Sequence, residues 1–195
     1  VNRKRMRTFV TILIVLALTS GGAVTLVSVL RGTTVDEPIS VLSGVTLSPQ
    51  DFKDTGLGTA VDVQYASKTF VFFADSQGAE LANAKGGLSI DFRGGGSVTL
   101  LCGQFAPDPN HALRDQAYAW YRDKLASDGL VVDAGTAIVG DGSARYDDPA
   151  VAAMLVRKNN TVFTLVYALT TTTTTTTPRP IVAAEALARL LASRF

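Results

Sequence analysis

The chain has 195 residues and a formal net charge of +1, enough for one globular domain with a real core once an anchor is set aside. A single cysteine, Cys102, excludes an internal disulfide and a cysteine-based zinc site. The charge is unevenly spread: Arg3, Lys4, Arg5 and Arg7 crowd the start, and beyond Arg31 there are 13 Lys and Arg against 17 Asp and Glu, a difference of −4. A domain of that sign without a basic stripe is a poor nucleic-acid binder, because phosphate affinity is carried by clustered cations.

Residues 1–7 read as a basic cytoplasmic N-terminus and residues 8–30 as a transmembrane helix. The run TFVTILIVLALTSGGAVTLVSVL holds no charge, and as a helix it would span about 34 Å, the thickness of a bilayer core. Four cations before it and only Arg31 just after it predict the N-terminal side in the cytoplasm and the domain outside, in the periplasm or on the cell surface. A cleaved signal peptide is the competing reading, but its apolar stretch is usually shorter and ends at a small-residue site. Gly21, Gly22 and Ala23 are the candidate helix-contact residues within the bilayer, since small side chains let another helix approach.

Residues 31–46 read as a tether, and residues 47–195 as one extracytoplasmic α+β domain. Ser48 as N-cap with Pro49 at the first helical position predicts a short helix ending near Gly56. Val61 to Tyr65 alternates as a strand, Lys68 to Phe73 continues a β-rich run, and Asp75 to Gly78 reads as a turn. Leu88 to Phe92, the Gly94-Gly95-Gly96 break and Val98 to Phe105 together predict a hairpin. A strand follows those glycines, where a phosphate-binding loop would need a helix.

Apolar residues at Leu113, Ala117, Trp120, Tyr121 and Leu125 have the spacing of one helix face between Pro109 and Asp128, with Gly129 as the stop. Leu130 to Val132 and Thr136 to Val139 are strand-like. Ala152 to Arg157 and Val162 to Tyr167 flank an Asn159-Asn160 turn, since Asn tolerates the left-handed backbone of tight hairpins. Thr170 to Thr177 with Pro178-Arg179-Pro180 forms a Thr/Pro-rich loop over 170–180; its composition is that of a plain solvated loop or an O-glycosylated segment. A last helix from Ile181 to Phe195 carries Val182, Leu187, Leu190 and Leu191 as the face that closes over the sheet.

The ending, MLVRKNNTVFTLVY followed by VAAEALARLLASRF, resembles the extracytoplasmic lipoprotein and sensor-type domains common in actinobacteria, which look like members of the PsbP-like α/β sandwich group. The resemblance covers about the C-terminal half. It implies an antiparallel sheet with packed helices and a non-enzymatic module that binds a ligand or a partner. The lipidated cysteine of the lipoproteins is absent here.

The candidate chemistry is sparse. His111, the single histidine, stands near Asp108 and Asp115, so a base oriented by a carboxylate is conceivable, but Asp108-Pro109-Asn110-His111 reads foremost as a capped helix start. Asp141, Asp147 and Asp148 offer oxygens without the alternation of a calcium loop. Cys102, in an apolar strand, reads as a small hydrophobe. Trp120 and Tyr121 are expected in the core, and Tyr118 on the surface as a partner contact beside Trp120. No catalytic residue, cofactor or metal is assigned. Two functional readings follow: an accessory or scaffold subunit among other membrane protein subunits in the lipid bilayer, and a membrane-anchored sensor or carrier of a small or lipidic ligand.

Overall fold

A computed structural model of the chain describes residues 34–65, 82–127, 139–169 and 179–195. The membrane segment 8–30, with Gly21, Gly22 and Ala23, lies outside the described residues. So do the Lys68 to Phe73 strand, the turn at 75–78, the Gly129 stop, the strands expected over 130–138 and the threonine tract. No helix among the described residues is long and apolar enough to cross a membrane.

The described residues form an antiparallel β-sheet packed against helices, the α+β class expected. The elements run β1 (Ile39–Leu42), β2 (Val45–Leu47), α1 (Pro49–Asp54), β3 (Ala60–Tyr65), β4 (Ala82–Phe92), β5 (Gly96–Phe105), α2 (Ala112–Ser127), β6 (Gly142–Asp147), β7 (Val151–Lys158), β8 (Thr161–Leu169) and α3 (Pro180–Arg194). Among the described residues six strands form one sheet in the order β3-β4-β5-β8-β7-β6. It is two three-stranded meanders joined where β8 returns antiparallel to β5, from Gly96↔Leu169 to Gln104↔Thr161.

Alternation along the strands builds two apolar layers. Ile90, Val98, Leu100, Cys102, Met154, Val156, Phe163 and Leu165 point to one face, beneath the β1–β2 hairpin, Phe52 of α1, and Ala184, Leu187 and Leu191 of α3. Leu101, Phe105, Ala144, Leu155 and Val162 point to the other, beneath Ala117 and Tyr118 of α2.

Local chemistry accounts for the elements the sequence predicted. Ser48 and Asp51 form a capping box at the start of α1, the Ser48 hydroxyl accepting from the Asp51 amide and the Asp51 carboxylate from the Ser48 amide, with Pro49 just inside. At the β7–β8 hairpin Lys158 pairs with Thr161, and Asn159 takes φ +48°, the left-handed backbone an asparagine tolerates.

Four expectations need correction. The tether assigned to residues 31–46 contains β1 and most of β2, whose Ile39, Val41, Leu42 and Val45 are buried in the core; the domain therefore begins before Leu47. Strand β4 starts at Ala82, six residues ahead of Leu88, and β6 was not foreseen. Val182 does not face the sheet: it is 55% exposed, and the buried face of α3 runs through Ile181, Ala183, Ala184, Leu187, Ala188, Leu191 and Ala192. On α2, Tyr118 is buried at 7% exposure, whereas Trp120 and Tyr121 are only partly buried at the rim of that layer.

Close approaches fix the layers. Strand β1 passes so near β4 that a Cβ on Gly86 would collide with the Val41 carbonyl oxygen. At the start of β5 the Tyr167 ring lies over Gly96, where a Cβ would come within 2.7 Å of it. Both positions need a residue without a side chain.

Candidate functional site

Among the described residues a group of paired polar side chains lies at one end of the sheet, where α2 begins, β7 turns into β8, and α3 ends. Arg114, on the first turn of α2, is only 6% exposed. Its Nε donates to Asp115 Oδ1 at 2.7 Å, and its Nη1 donates to Asp141 Oδ2 at 2.8 Å and to the Asn159 carbonyl at 2.7 Å. Asp141 also accepts from Lys158 Nζ at 3.0 Å and from the Asn159 amide at 2.9 Å. A buried guanidinium is tolerable only when its donors meet acceptors in this way.

Burial opposes the charge on Asp141, but the hydrogen bonds from Lys158 and the Asn159 amide, with the charges of Lys158 and Arg114, outweigh it and hold the carboxyl below its ordinary range. At Asp115 burial is likewise outweighed, by hydrogen bonds and charge from Arg114 and Arg157. Arg157 Nη1 reaches Asp115 at 3.0 Å, and its guanidinium sits 4.9 Å above the Tyr118 ring. The arrangement is a cation–π contact that uses Tyr118 as an internal support.

His111 adopts φ +52°, and its Nδ1 lies 2.8 Å from Asn160 Oδ1. Asp108 does not orient the imidazole; its carboxylate accepts from the backbone amides of Asn110 at 3.0 Å and Ala112 at 2.9 Å. Those two bonds hold its pKa below the ordinary carboxylate range. Asp115 is engaged by the two arginines. The capped helix start is therefore the reading that fits, and the base–carboxylate pair is not assembled.

The three candidate cation ligands are likewise not brought together. Asp141 precedes β6 and Asp147 ends it, so the strand separates them by about 20 Å. Asp148 Oδ1 accepts from the Ala150 amide at 3.0 Å. Among the described residues no group of three His, Cys, Asp or Glu side chains could hold a metal ion. Cys102 is fully buried, and burial pushes its thiol pKa far up, which disfavours the thiolate a nucleophile requires.

A surface cleft of about 280 Å³ borders this cluster, lined by Val139, Gly140, Lys158, Arg189, Ala192 and Ser193. Its two cations are paired, Lys158 with Asp141 at 3.0 Å and Arg189 with Glu185 at 2.6 Å. Sequence reasoning missed Arg114 and Arg157, because a charged residue on an amphipathic element is ordinarily assigned to solvent. No local signal marks them, since the partners of Arg114 come from 27 and 45 residues away.

In comparisons with known proteins, no family model matches the chain and no curated protein matches it.

Proposed function

We propose that this protein is a non-catalytic, single-pass membrane protein that serves as an accessory or scaffold subunit of a larger membrane assembly. Residues 8–30 anchor it, the N-terminal residues lie in the cytoplasm, and the α+β domain stands on the extracytoplasmic side. The observation that carries this reading is the burial of apolar side chains between sheet and helices among the described residues: Phe52, Leu47, Phe163, Leu165, Leu187 and Leu191 pack there away from solvent, and a carrier of a lipidic ligand would use such side chains to line a chamber. The polar cluster supports it too, since Arg114, Arg157 and Lys158 each pair with Asp115 or Asp141.

The alternative, a membrane-anchored sensor or carrier, is what the PsbP-like resemblance suggests, and the cleft at Lys158 and Arg189 is the place where a small ligand would enter. Topology is the first test. Alkaline carbonate should leave the chain in the membrane pellet, and protease added from the extracytoplasmic side should remove the domain. Release into the supernatant, or protection from that side, would contradict the anchored arrangement.

A further inference from the structure

Among the described residues β3 pairs with β4 alone. Register sets Asp62 on β3 directly opposite Asp91 on β4, and the next pair, Val63 and Ile90, packs into the core. Side chains alternate along a strand, so the two carboxylates stand together on the opposite face. Residues paired in this way have Cβ atoms about 5 Å apart, and like charges so placed destabilise the pairing. The register also shifts between Ala60 and Asp62, so the pair adjoins a point where the ladder is locally disrupted.

The neighbours on that face are uncharged: Gln64 and Ser89 stand opposite each other, Thr99 lies beside Ser89, and Ser97 beside Asp91. Among the described residues the charge that bears on Asp91 is that of Asp62, and Arg93, two residues further on, pairs with neither carboxylate. Gln64 Nε2 donates to Asp62 Oδ2 at 2.9 Å, which favours the ionised form of Asp62. Asp91 differs: burial by its neighbours first, and the Asp62 charge second, raise its pKa above the ordinary value. The carboxyls of Asp51, Asp108, Asp115 and Asp141 are instead held low, so Asp91 takes a proton before them as pH falls.

We propose that Asp62 and Asp91 form an acid-strengthened latch on the sheet: β3 is held more tightly once Asp91 is protonated than when both carboxylates are ionised. Because the folded value of Asp91 lies above the unfolded one, its contribution is present in acid and is lost as pH rises through the folded value. The latch holds more than β3. The Val35 amide donates to the Ala60 carbonyl at 3.0 Å, so the segment leading into β1 is tied to the same strand.

The test is hydrogen–deuterium exchange of the full chain in mild detergent, at about pH 7 and about pH 4.5. Mass spectrometry reads peptides covering β3, with β8 peptides as the internal reference and each rate divided by that of the unfolded chain at the same pH. Protection of β3 relative to β8 should rise about two- to five-fold in acid. Asp91→Asn, which removes the charge at nearly constant shape, should show the acid level of protection already at neutral pH and no further response. Asp62→Asn should behave likewise, so one poorly folded variant does not decide the outcome. An unchanged β3 in the parent, or a pH response that survives in both variants, would overturn the latch. Weaker β3 protection in both variants at neutral pH would also overturn it, since the carboxylates would then hold the strand rather than loosen it.

Discussion

Arg194 and Asp51 close the molecule across 143 residues of sequence, Nη1 meeting Oδ2 at 2.8 Å and Nη2 meeting Oδ1 at 2.7 Å. This two-pronged pair ties the last turn of α3 to the first turn of α1, and Arg194 Nη1 also donates to the Thr46 carbonyl. Asp51 thereby caps its own helix and receives the far helix. Both helices are held over the same face of the sheet.

The pair makes stability depend on acid. The Arg194 hydrogen bond, opposed by burial and aided by the Ser48 amide, lowers the Asp51 pKa from 3.8 to about 2. Because the folded value lies below the unfolded one, the stabilisation is complete above about pH 4 and is lost as pH falls towards 2. It should amount to about 1–2 kcal/mol after solvent screening. Urea unfolding of the full chain in mild detergent, followed by circular dichroism, should show a loss of stability in that window that Asp51→Asn lacks. Parallel curves for the two proteins would contradict it.

Arg114 should be the costliest cation to remove. Arg114→Ala takes one partner from Asp141 and Asp115, which keep Lys158 with the Asn159 amide and Arg157 respectively, and leaves the Asn159 carbonyl without its donor, with an expected loss of about 1–3 kcal/mol. Arg122→Ala, which breaks only an exposed pair with Asp123, should cost under about 1 kcal/mol. Equal midpoints for the two variants would show that the cluster adds nothing to the docking of α2.

Two glycines separate crowding from backbone strain. Gly86→Ala drives a methyl into the Val41 carbonyl and should cost about 2 kcal/mol or more. Gly44, at φ +81° with open space around it, should cost about 1 kcal/mol on change to Ala. A Gly86→Ala protein as stable as the parent would mean that β1 does not lie on β4.

Cys102 reports on the core. Its thiol is fully buried between β4 and β8, with a strongly raised pKa, so a maleimide should leave it unmodified in the folded protein and react after denaturation. Rapid labelling without denaturant would place the strand at the surface.

The elements legible in the sequence are those with strong local chemistry: the Ser48-Pro49 start of α1, the Asn159-Asn160 hairpin, and the Ala- and Leu-rich α3. The β1–β2 hairpin went unread because its strands hold four and three residues, too few to establish an alternation, although Ser43-Gly44 between the apolar Leu42 and Val45 was a turn signal. Strand β6 places one residue in the core, Ala144, and β4 opens on Ala-Asn-Ala-Lys-Gly-Gly, poor in the side chains that mark strands.

The error at Tyr118 has one physical source. The buried stripe of α2 runs through Arg114, Ala117 and Tyr118, whereas a face read from apolar residues alone runs through Leu113, Ala117, Trp120 and Tyr121 and leaves Arg114 and Tyr118 out. Only the partners of Arg114, brought from 27 and 45 residues away, make that burial favourable. No local pattern displays them. Hence the ion-pair cluster could not be read as one unit before the fold was known.

Co-purification tests the accessory-subunit reading most directly. The tagged full chain is extracted from native membranes in a gentle detergent, separated by size, and analysed by mass spectrometry for whatever travels with it. Stoichiometric membrane protein subunits that stay bound at moderate salt are the expected result. A lone monomer carrying a small molecule would contradict the subunit reading and favour the sensor or carrier.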